Sequence, residues 1–410
     1  MTSRFLQIHT LTPYHASLLN RDDAGFAKRI PFGGAARTRI SSQCLKRHWR
    51  RHDGDLSLGA IEGVELSVRS RISFERFVVQ PLVREQGVAE PLARAIAAKL
   101  QSLVLGQKDV APSEDSAETA TDNDSKQVTV LGHPELRYIL GLAAEIAAAP
   151  GVREAASLSG KGAAKKLADA VAGQVNRGDL KKNLESLGRG AQGIDGAVFG
   201  RMVTSDILSR TDAAVHVAHA FTVHHEDAES DYFSAMDDLV AETGALGSGH
   251  INASELNTGL YYGYVAIDVP LLVSNLEGVD QGKWLEADRA LAAEVVRRLI
   301  HTIAEVSPGA KKGSTAPYSR AHLVLVEAGD AQPRSLANAF LQPVLKNGEL
   351  EAATFRALAR HLGEMDEAYE TGEARRAMAL GAREVLGWEE GVLVRRLADV
   401  ASWAADRVRG

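Results

Sequence analysis

Apolar and polar positions along this 410-residue chain predict a sheet whose strands are far apart in sequence. Positions 5–11 alternate apolar and polar residues, which predicts a first strand with one buried face. Strand character returns at 214–224, 260–269 and 322–327. A polar loop is expected over 14–37. These segments must assemble around long insertions.

The first predicted helix covers 41–51. Ser41 or Ser42 can cap its start, and Leu45 with Trp49 forms a short apolar stripe. Further helices are predicted at 284–306, 349–362 and 388–408.

Residues from about 56 to 192 have a largely helical pattern, interrupted by a Gly/Lys patch at 159–166. We interpret this block as a helical subdomain inserted into the sheet domain. The polar segment 226–258 separates two strands and predicts a hairpin-like arm or lid. The fold class expected is therefore α+β.

Composition restricts the class of protein without naming a function. Hydrophobic residues make up 45% and charged residues 24%, as in ordinary globular domains. Cys44 is the single cysteine, so neither a disulfide nor a cysteine zinc cluster can form within the chain. The N-terminus does not resemble a signal peptide and no apolar run spans a bilayer, so we expect a cytoplasmic protein with no membrane contact.

The net charge of -6 hides an uneven distribution along the chain. Residues 1–52 hold ten Lys/Arg and two Asp, whereas 113–124 holds five acids and 221–243 seven, with no base in either. A basic segment in an acidic protein is consistent with local binding of a polyanion.

The predicted helix at 41–51 could bind phosphate. Lys46 and Arg50, four residues apart, share one face. The amides at 41–43 lie at the positive end of the helix dipole, where phosphate oxygens bind readily. The alternative is that these residues form an ordinary solvated basic face. The residues alone favour neither interpretation over the other.

Signals for catalysis and cofactors are weak. No Gly-x-Gly-x-x-Gly or phosphate-binding Gly-Lys-Ser/Thr motif is present, and no cofactor is expected. The carboxylate pairs Asp22–Asp23 and Asp237–Asp238 are more typical of turns than of a metal nuclease. His216 and His219 fall on opposite sides of a strand, which favours core or hydrogen-bonding roles over zinc.

The segment 199–202 (FGRM) has two interpretations. Phe199 can pack a turn into the core, or Met202 can contact an unstacked base while Arg201 binds a phosphate. The sequence by itself favours the turn.

Several blocks taken together resemble a known family, the CasC backbone subunits of the type I-E CRISPR Cascade complex. The blocks are 19–23 (LNRDD), 33–47 (GGAARTRISSQCLKR), 199–202 (FGRM), 218–222 (AHAFT), 261–264 (YYGY) and 332–340 (QPRSLANAF).

The resemblance implies a modified RRM-like (ferredoxin-like) palm with a helical fingers insertion and a thumb arm. The segments expected are palm at 1–55, fingers at 56–195 with a mobile acidic loop at 111–126, palm at 196–228, thumb at 229–258, and the remaining palm with a helical C-terminal extension at 259–410.

The resemblance also implies a non-catalytic RNA-binding subunit of an antiviral surveillance complex. Copies would polymerise head-to-tail along the CRISPR RNA (crRNA), leaving bases free to pair with target DNA. Expected partners are crRNA, neighbouring copies, other Cascade subunits and, through the crRNA, target DNA. The acidic thumb would meet a basic surface on the neighbouring copy.

The family's RNA contacts carry over to specific positions here. Arg21, Lys28, Lys46 and Arg50 would bind phosphates. Ser41 and Gln43 would form hydrogen bonds at the helix start, and Met202 would pack beside a displaced nucleotide. Asn20 is carried over with them. Arg39 is a weaker candidate.

An enzymatic alternative stays open at this stage. Backbone subunits of type III effector complexes cut target RNA with a loop aspartate and a metal ion, and Asp22 or Asp23 would be the candidate here. A free-standing RNA chaperone is a third possibility.

Overall fold

The computed structural model describes residues 2–106, 128–160, 162–203, 205–236, 248–346 and 348–410, and it confirms the α+β class. The described residues form two compact units. The first unit combines the chain up to Ala60 with Val215–Val269 and Arg289–Gly410. The second combines Ile61–Ala214 with Pro270–Asp288.

The strands within the described residues are β1 (Phe5–Ser17), β2 (Arg29–Phe32), β3 (Ala35–Ile40), β4 (Val68–Ser70), β5 (Thr129–Leu131), β6 (Val215–Val217), β7 (Ala220–Thr222), β8 (Ala228–Met236), β9 (Ser248–Asp268), β10 (Leu323–Gly329), β11 (Ala374–Ala379) and β12 (Leu393–Val394).

The described α-helices are α1 (Ser42–Arg51), α2 (Gln80–Arg84), α3 (Glu90–Leu105), α4 (His133–Ala148), α5 (Pro150–Ala156), α6 (Ala163–Gly173), α7 (Arg177–Ser186), α8 (Ile194–Phe199), α9 (Val269–Glu277), α10 (Ala290–Glu305), α11 (Lys312–Thr315), α12 (Leu350–Tyr369) and α13 (Leu397–Arg409).

The first unit contains one large sheet with the order β12-β11-β10-β1-β9-β7-β3-β2, and β6 and β8 also pair with β9. Strand β1 lies in the middle, with Phe5 opposite both Gly329 of β10 and Asp268 of β9. The strand pairs of this sheet are antiparallel except β11 with β12. Segments more than 250 residues apart in sequence thus become neighbours, as the strand pattern predicted.

Strand β1 is buried on both faces, so the prediction of one buried face is wrong. Residues from Leu6 to Leu11 are all buried. The polar positions are tolerated because they are hydrogen-bonded: His9 Nε2 lies 3.1 Å from a Glu327 carboxylate oxygen, and His9 Nδ1 lies 2.9 Å from the Tyr262 hydroxyl.

Different helices cover the two faces of the sheet. On one face, Leu11 and Leu325 join a core with Phe355 and Leu358 of α12. On the other, a small cavity of about 40 Å³ is lined by Ile8 together with residues of α1 and α10. Helix α1 is therefore held against the sheet, which fixes the surface that it carries.

The polar loop predicted over 14–37 contains a hairpin that the pattern did not reveal. Strands β2 and β3 pair from Arg29–Thr38 to Phe32–Ala35. The two residues between them, Gly33 and Gly34, both have positive φ, at 61° and 74°. Two-residue hairpin loops of type I′ require this conformation, which glycine adopts without a steric penalty.

The second unit is largely helical, as predicted. Helices α2 to α7 pack around a shared apolar core that includes Phe74, Ile96 and Ile139. The antiparallel pair β4–β5 was not predicted. The acidic segment 111–126, expected to be a mobile loop, lies outside the described residues.

The predicted arm is found as a long antiparallel ladder. Strands β8 and β9 pair from Ala228–Asn257 to Met236–Ser248. Residues 237–247, including Asp237 and Asp238, lie outside the described residues. The assignment of 229–258 as a thumb, like the other segment boundaries, stays a prediction.

The C-terminal segment is part of the first unit's core. Helix α13 packs along α10 and buries Val400, Ala404 and Val408. It begins at Leu397 and not at 388, because β12 precedes it. None of the helices in the described part of the chain combines the length and hydrophobicity needed to cross a bilayer.

Candidate nucleic-acid interface

Helix α1 begins as the sequence predicted, with Ser41 as its N-cap. The Ser41 hydroxyl oxygen accepts a hydrogen bond from the Cys44 N–H at 3.3 Å. Leu45 and Trp49 are buried, and each such side chain contributes about 1.5–3 kcal/mol. This apolar stripe turns the remaining faces outward, with Lys46 and Arg50 half-buried and Arg47 and Arg51 exposed.

The loop before β2, residues 18–28 (the pre-β2 loop), is bonded to the start of α1. The Asn20 side-chain oxygen accepts from the Ser41 N–H at 2.9 Å, and the Asn20 carbonyl accepts from the Lys28 N–H at 3.0 Å. The Lys28 carbonyl in turn accepts from the Arg39 N–H at 2.7 Å. Asn20 therefore positions Lys28 beside the end of β3 and the start of the helix.

His219 lies at this surface, although the sequence analysis did not include it among the candidate RNA contacts. Its Nδ1 accepts from the Ser42 N–H at 3.2 Å and lies 3.2 Å from an Arg39 guanidinium nitrogen. An accepting Nδ1 leaves the ring proton on Nε2, so this exposed histidine offers an N–H donor to solvent. The hydrogen-bonding role predicted for the histidines is confirmed at this position.

The cations near His219 form one cluster. Burial lowers the pKa of His219, and the charges of Arg39, Lys28 and Lys46 lower it further. These side chains come from the pre-β2 loop, from β3 and from α1. We call Lys28, Arg39, Lys46 and His219 the basic cluster. It includes Arg39, which the sequence had ranked as a weaker candidate.

The expected use of free amides at the helix start is wrong for two of its three residues. The Ser41 N–H donates to Asn20, and the Ser42 N–H donates to His219. Protein acceptors thus already occupy these donors, and Ser41 itself is buried. A phosphate at this end of α1 would be held mainly by side chains of the basic cluster and by the exposed Gln43.

Basic residues continue along α1 to its C-terminal end. Burial lowers the pKa of His48, and the charges of Lys312, Arg47 and Arg51 lower it further. Cys44 lies between the two ends: burial raises the pKa of its thiol, while Arg47 and Lys28 oppose that rise. Lys312 is distant in sequence, and no local pattern linked it to this helix.

A cavity of about 510 Å³ opens beside the pre-β2 loop. Arg21, Phe26 and Lys311 line it, together with Glu229 and Glu255 from the base of the arm. Phe26 is 54% exposed. Arg29, also in the lining, is bonded to Glu226 and Glu255, so it contributes little net charge.

The carboxylate of Asp22 shapes the pre-β2 loop. One of its oxygens accepts from the N–H groups of Ala24 at 3.0 Å and Phe26 at 2.9 Å. This is the turn role that the sequence favoured for the Asp22–Asp23 pair. Within the described residues, no group of three or more His, Cys, Asp or Glu side chains is arranged to hold a metal ion.

The 199–202 segment lies in the second unit and has a mixed outcome. Phe199 is buried, as the turn interpretation required. The alternative in which Arg201 binds a phosphate, which the sequence did not favour, is excluded because its guanidinium is buried and lies 2.7 Å from the Glu135 carboxylate. Met202 is 88% exposed and available for contact.

Three of the sequence blocks meet through a buried arginine. Arg37 is fully buried and donates to three backbone carbonyls: Phe32 at 3.3 Å, Thr222 at 2.9 Å and Phe340 at 2.9 Å. Blocks 33–47, 218–222 and 332–340 therefore include residues that fix the backbone of the sheet edge. Arg334 has a similar structural role, because it bonds to the buried Glu327.

Comparison with known proteins identifies the family. A sequence model of the CT1975-like protein family matches residues 6–403, nearly the whole chain. The chain belongs to the CT1975-like protein family. No curated protein sequence is similar enough to be matched.

Solved structures extend the comparison for this CT1975-like protein. A chain of a "CRISPR RNA-guided surveillance complex, pre-nicking" is 25% identical with a TM-score of 0.76, covering 98% of this chain and 100% of that chain. A chain of another "CRISPR RNA-guided surveillance complex" is 21% identical with a TM-score of 0.66, covering 98% and 99%, and indicates the shared fold.

These matches confirm that the CT1975-like protein resembles CRISPR surveillance-complex subunits. The eight residues carried over by resemblance stay predictions as RNA contacts. Six of them lie near one another, because hydrogen bonds link Asn20 to Lys28 and Ser41, and because Gln43, Lys46 and Arg50 belong to α1. Arg21 lines the adjoining cavity.

Proposed function

We propose that this CT1975-like protein is a non-catalytic, crRNA-binding backbone subunit of a CRISPR surveillance complex. The observation that carries the proposal is the similarity of nearly the whole chain to a surveillance-complex chain. The basic cluster supports it, since a guide RNA needs a surface that binds phosphates regardless of base sequence.

The basic cluster can bind an RNA backbone by charge and hydrogen bonding. Arg39 lies 3.2 Å from His219, and the charges of Arg39, Lys28 and Lys46 all lower the pKa of that ring, so the cluster offers positive charge to phosphates. Arg50 follows Lys46 by one turn and extends the cationic surface along α1. The Nε2–H of His219 and the side chain of Gln43 add neutral donors beside these charges.

The finer proposal is a type I-E CasC subunit. The first unit would be the RRM-like palm, the helical second unit the fingers, and the β8–β9 ladder the thumb. Copies would follow one another head-to-tail along the crRNA, alongside other Cascade subunits. The bases left free would pair with target DNA, and Met202 would pack beside a displaced nucleotide.

We also propose that this protein is not an enzyme. The alternative, metal-dependent cleavage of target RNA, would depend on Asp22 or Asp23. Asp22 already uses one carboxylate oxygen to close the pre-β2 turn, which favours a structural role. Magnesium-dependent cutting of target RNA by the assembled complex, abolished in Asp22→Ala or Asp23→Ala, would establish the enzyme instead.

The test is RNA binding across a salt series. Lys46→Ala/Arg50→Ala is compared with wild type and with Arg356→Ala/Arg360→Ala, which removes two cations from α12 on the other face of the sheet. Each phosphate of single-stranded RNA that is no longer neutralised by a cation lowers the salt slope by about 0.7, so the slope of the first variant should fall by about 1.4. The control should retain the wild-type slope.

Longer guides supply a second readout. Wild type should form a ladder of complexes that gains bands as the RNA is lengthened, whereas a free-standing RNA chaperone would bind as a monomer without such growth. Equal slopes for both double variants would show that Lys46 and Arg50 do not bind RNA phosphates. A wild-type protein that does not bind RNA would overturn the proposed function.

A further inference from the structure

The loop between α10 and β10 is held in a defined shape. Its ends are joined by two hydrogen bonds: the Ser307 hydroxyl donates to the Ser319 carbonyl at 2.8 Å, and the Ser319 N–H donates to the Ser307 hydroxyl at 2.9 Å. Gly309 packs under Pro317, where a Cβ would lie 2.6 Å from the proline ring. We call residues 308–318 the basic loop.

The basic loop adjoins the pre-β2 loop and α1. The Ala310 N–H donates to the Leu18 carbonyl at 2.8 Å. Lys311 lines the 510 Å³ cavity together with Arg21 and Phe26. Lys312 is close enough to His48 for its charge to act on that ring. Two lysines are thus added to the cationic surface by a segment that the sequence interpretation did not assign to RNA.

The loop also carries an exposed aromatic ring. Tyr318 is 72% exposed, and the Lys312 ammonium nitrogen lies 6.0 Å from its ring centroid. The one-turn helix α11 is followed by Ala316, whose φ of 40° lies in the left-handed region, and the chain turns there so that Pro317 is buried. The adjacent ring is left in solvent beside a cation.

Single-stranded RNA matches this combination. Proteins that bind single strands pair cations, which bind phosphates, with aromatic rings on which bases stack. A protein partner would have to be acidic, and the exposed loop residues Lys312, Gly313, Ser314 and Ala316 offer no large apolar side chain beside Tyr318. RNA uses both features at once, and the adjoining surface is the one already proposed to bind RNA.

We propose that the basic loop binds one nucleotide of the guide strand, with Lys311 and Lys312 on phosphate oxygens and Tyr318 stacked on the base. This inference rests on the proposed function and extends its RNA surface beyond α1. The two halves of the interaction have different signatures. Phosphate binding sets the salt dependence, whereas stacking contributes affinity that is nearly independent of salt.

The experiment uses the full chain and a single-stranded guide RNA, in the same salt series. Lys311→Ala/Lys312→Ala should lower the slope by about 1.4, while Arg356→Ala/Arg360→Ala leaves it unchanged. Tyr318→Leu should weaken binding at least about fivefold without changing the slope. Tyr318→Phe keeps the ring and should bind like wild type. Guides carrying 5-iodouridine should crosslink to the peptide that contains Tyr318.

The outcomes separate this inference from the proposed function. If Lys46→Ala/Arg50→Ala lowers the slope while Lys311→Ala/Lys312→Ala matches the Arg356/Arg360 control, the basic loop does not bind RNA and the proposed function stands. A normal Tyr318→Leu affinity overturns the stacking on Tyr318 and with it the proposal as stated. If wild type binds no RNA, both fail.

Discussion

Replacing Gly33 by alanine should destabilise the protein more than replacing Gly34. Both substitutions place alanine in a left-handed backbone conformation, but only Gly33→Ala also creates a steric clash. Both residues have positive φ, and a left-handed alanine costs roughly 1–2 kcal/mol. At Gly34 a Cβ would have no heavy atom within 4 Å. Gly34→Ala should therefore lower the free energy of unfolding of the first unit by about 1 kcal/mol, after the smaller entropy of its unfolded chain is counted.

At Gly33 the same substitution meets the backbone. A Cβ there would lie 1.6 Å from the Leu341 carbonyl oxygen, although real Cβ atoms stay at least 3.0 Å from such atoms, so the segment must shift by about 1.4 Å. That shift displaces the adjoining Phe340 carbonyl from the buried Arg37 guanidinium, a bond of the class worth about 1.5–3 kcal/mol. With the left-handed cost, Gly33→Ala should destabilise by about 2.5–5 kcal/mol.

The assay is urea unfolding followed by far-UV circular dichroism, with both variants at equal protein concentration. The expected result is a large fall in the unfolding midpoint for Gly33→Ala, or failure to fold, beside a small fall for Gly34→Ala. Free energies of unfolding within about 0.5 kcal/mol of each other would refute the packing of the β2–β3 turn against residues 340–341.

Three further predictions concern single residues of the first unit. Arg37→Met should destabilise by about 3 kcal/mol in urea unfolding, because three carbonyls lose a charged donor, whereas the exposed Arg47→Met should change stability by less than about 0.5 kcal/mol. Burial lowers the pKa of His224 from its ordinary value to about 4, so the unfolded chain takes up this proton first as the pH falls. The stability that depends on neutral His224 is fully present above about pH 6.5, and roughly 2 kcal/mol of the free energy of unfolding is lost by pH 5. His224→Gln should abolish this decrease, as measured by unfolding curves at pH 7 and pH 5. Guide RNA should slow the labelling of Cys44 by N-ethylmaleimide in proportion to the fraction of protein bound. Lys46→Ala/Arg50→Ala should show less protection at the same RNA concentration. Unchanged labelling of wild type would place the RNA away from α1.

Local patterns predicted the elements whose signals are local. The start of α1 followed from Ser41 and its apolar stripe, and both are found. The β2–β3 hairpin was missed because its strands are short and β2 is largely exposed, so no alternation marks them; only the Gly33–Gly34 pair signalled a turn. The burial of both faces of β1 could not be predicted, because it depends on the packing of α1, α10 and α12 onto the sheet, and α10 and α12 lie hundreds of residues away.

The candidate site was predictable only in part for the same reason. Lys46 and Arg50 share a helix, so their spacing relates them, and the family resemblance added Lys28. His219 and Lys312 reach this surface through sheet pairing and loop packing. No pattern among their neighbours in the sequence indicates that position. The buried ion pair of Arg201 was not predicted, because its partner, Glu135, lies 66 residues earlier in the sequence.

The acidic net charge of this protein is compatible with RNA binding because its charges are sorted in space as well as in sequence. At the base of the arm, acids are bonded to their own cations: Glu226 and Glu255 to Arg29, and Asp227 to Lys346. Around His219 the balance is reversed, since the neighbouring charges that act on the ring are all positive. Like charges held together by the fold oppose it in the absence of an anion, and a bound phosphate chain relieves that repulsion. If guide RNA binds the basic cluster as proposed, it should therefore raise the free energy of unfolding of the subunit.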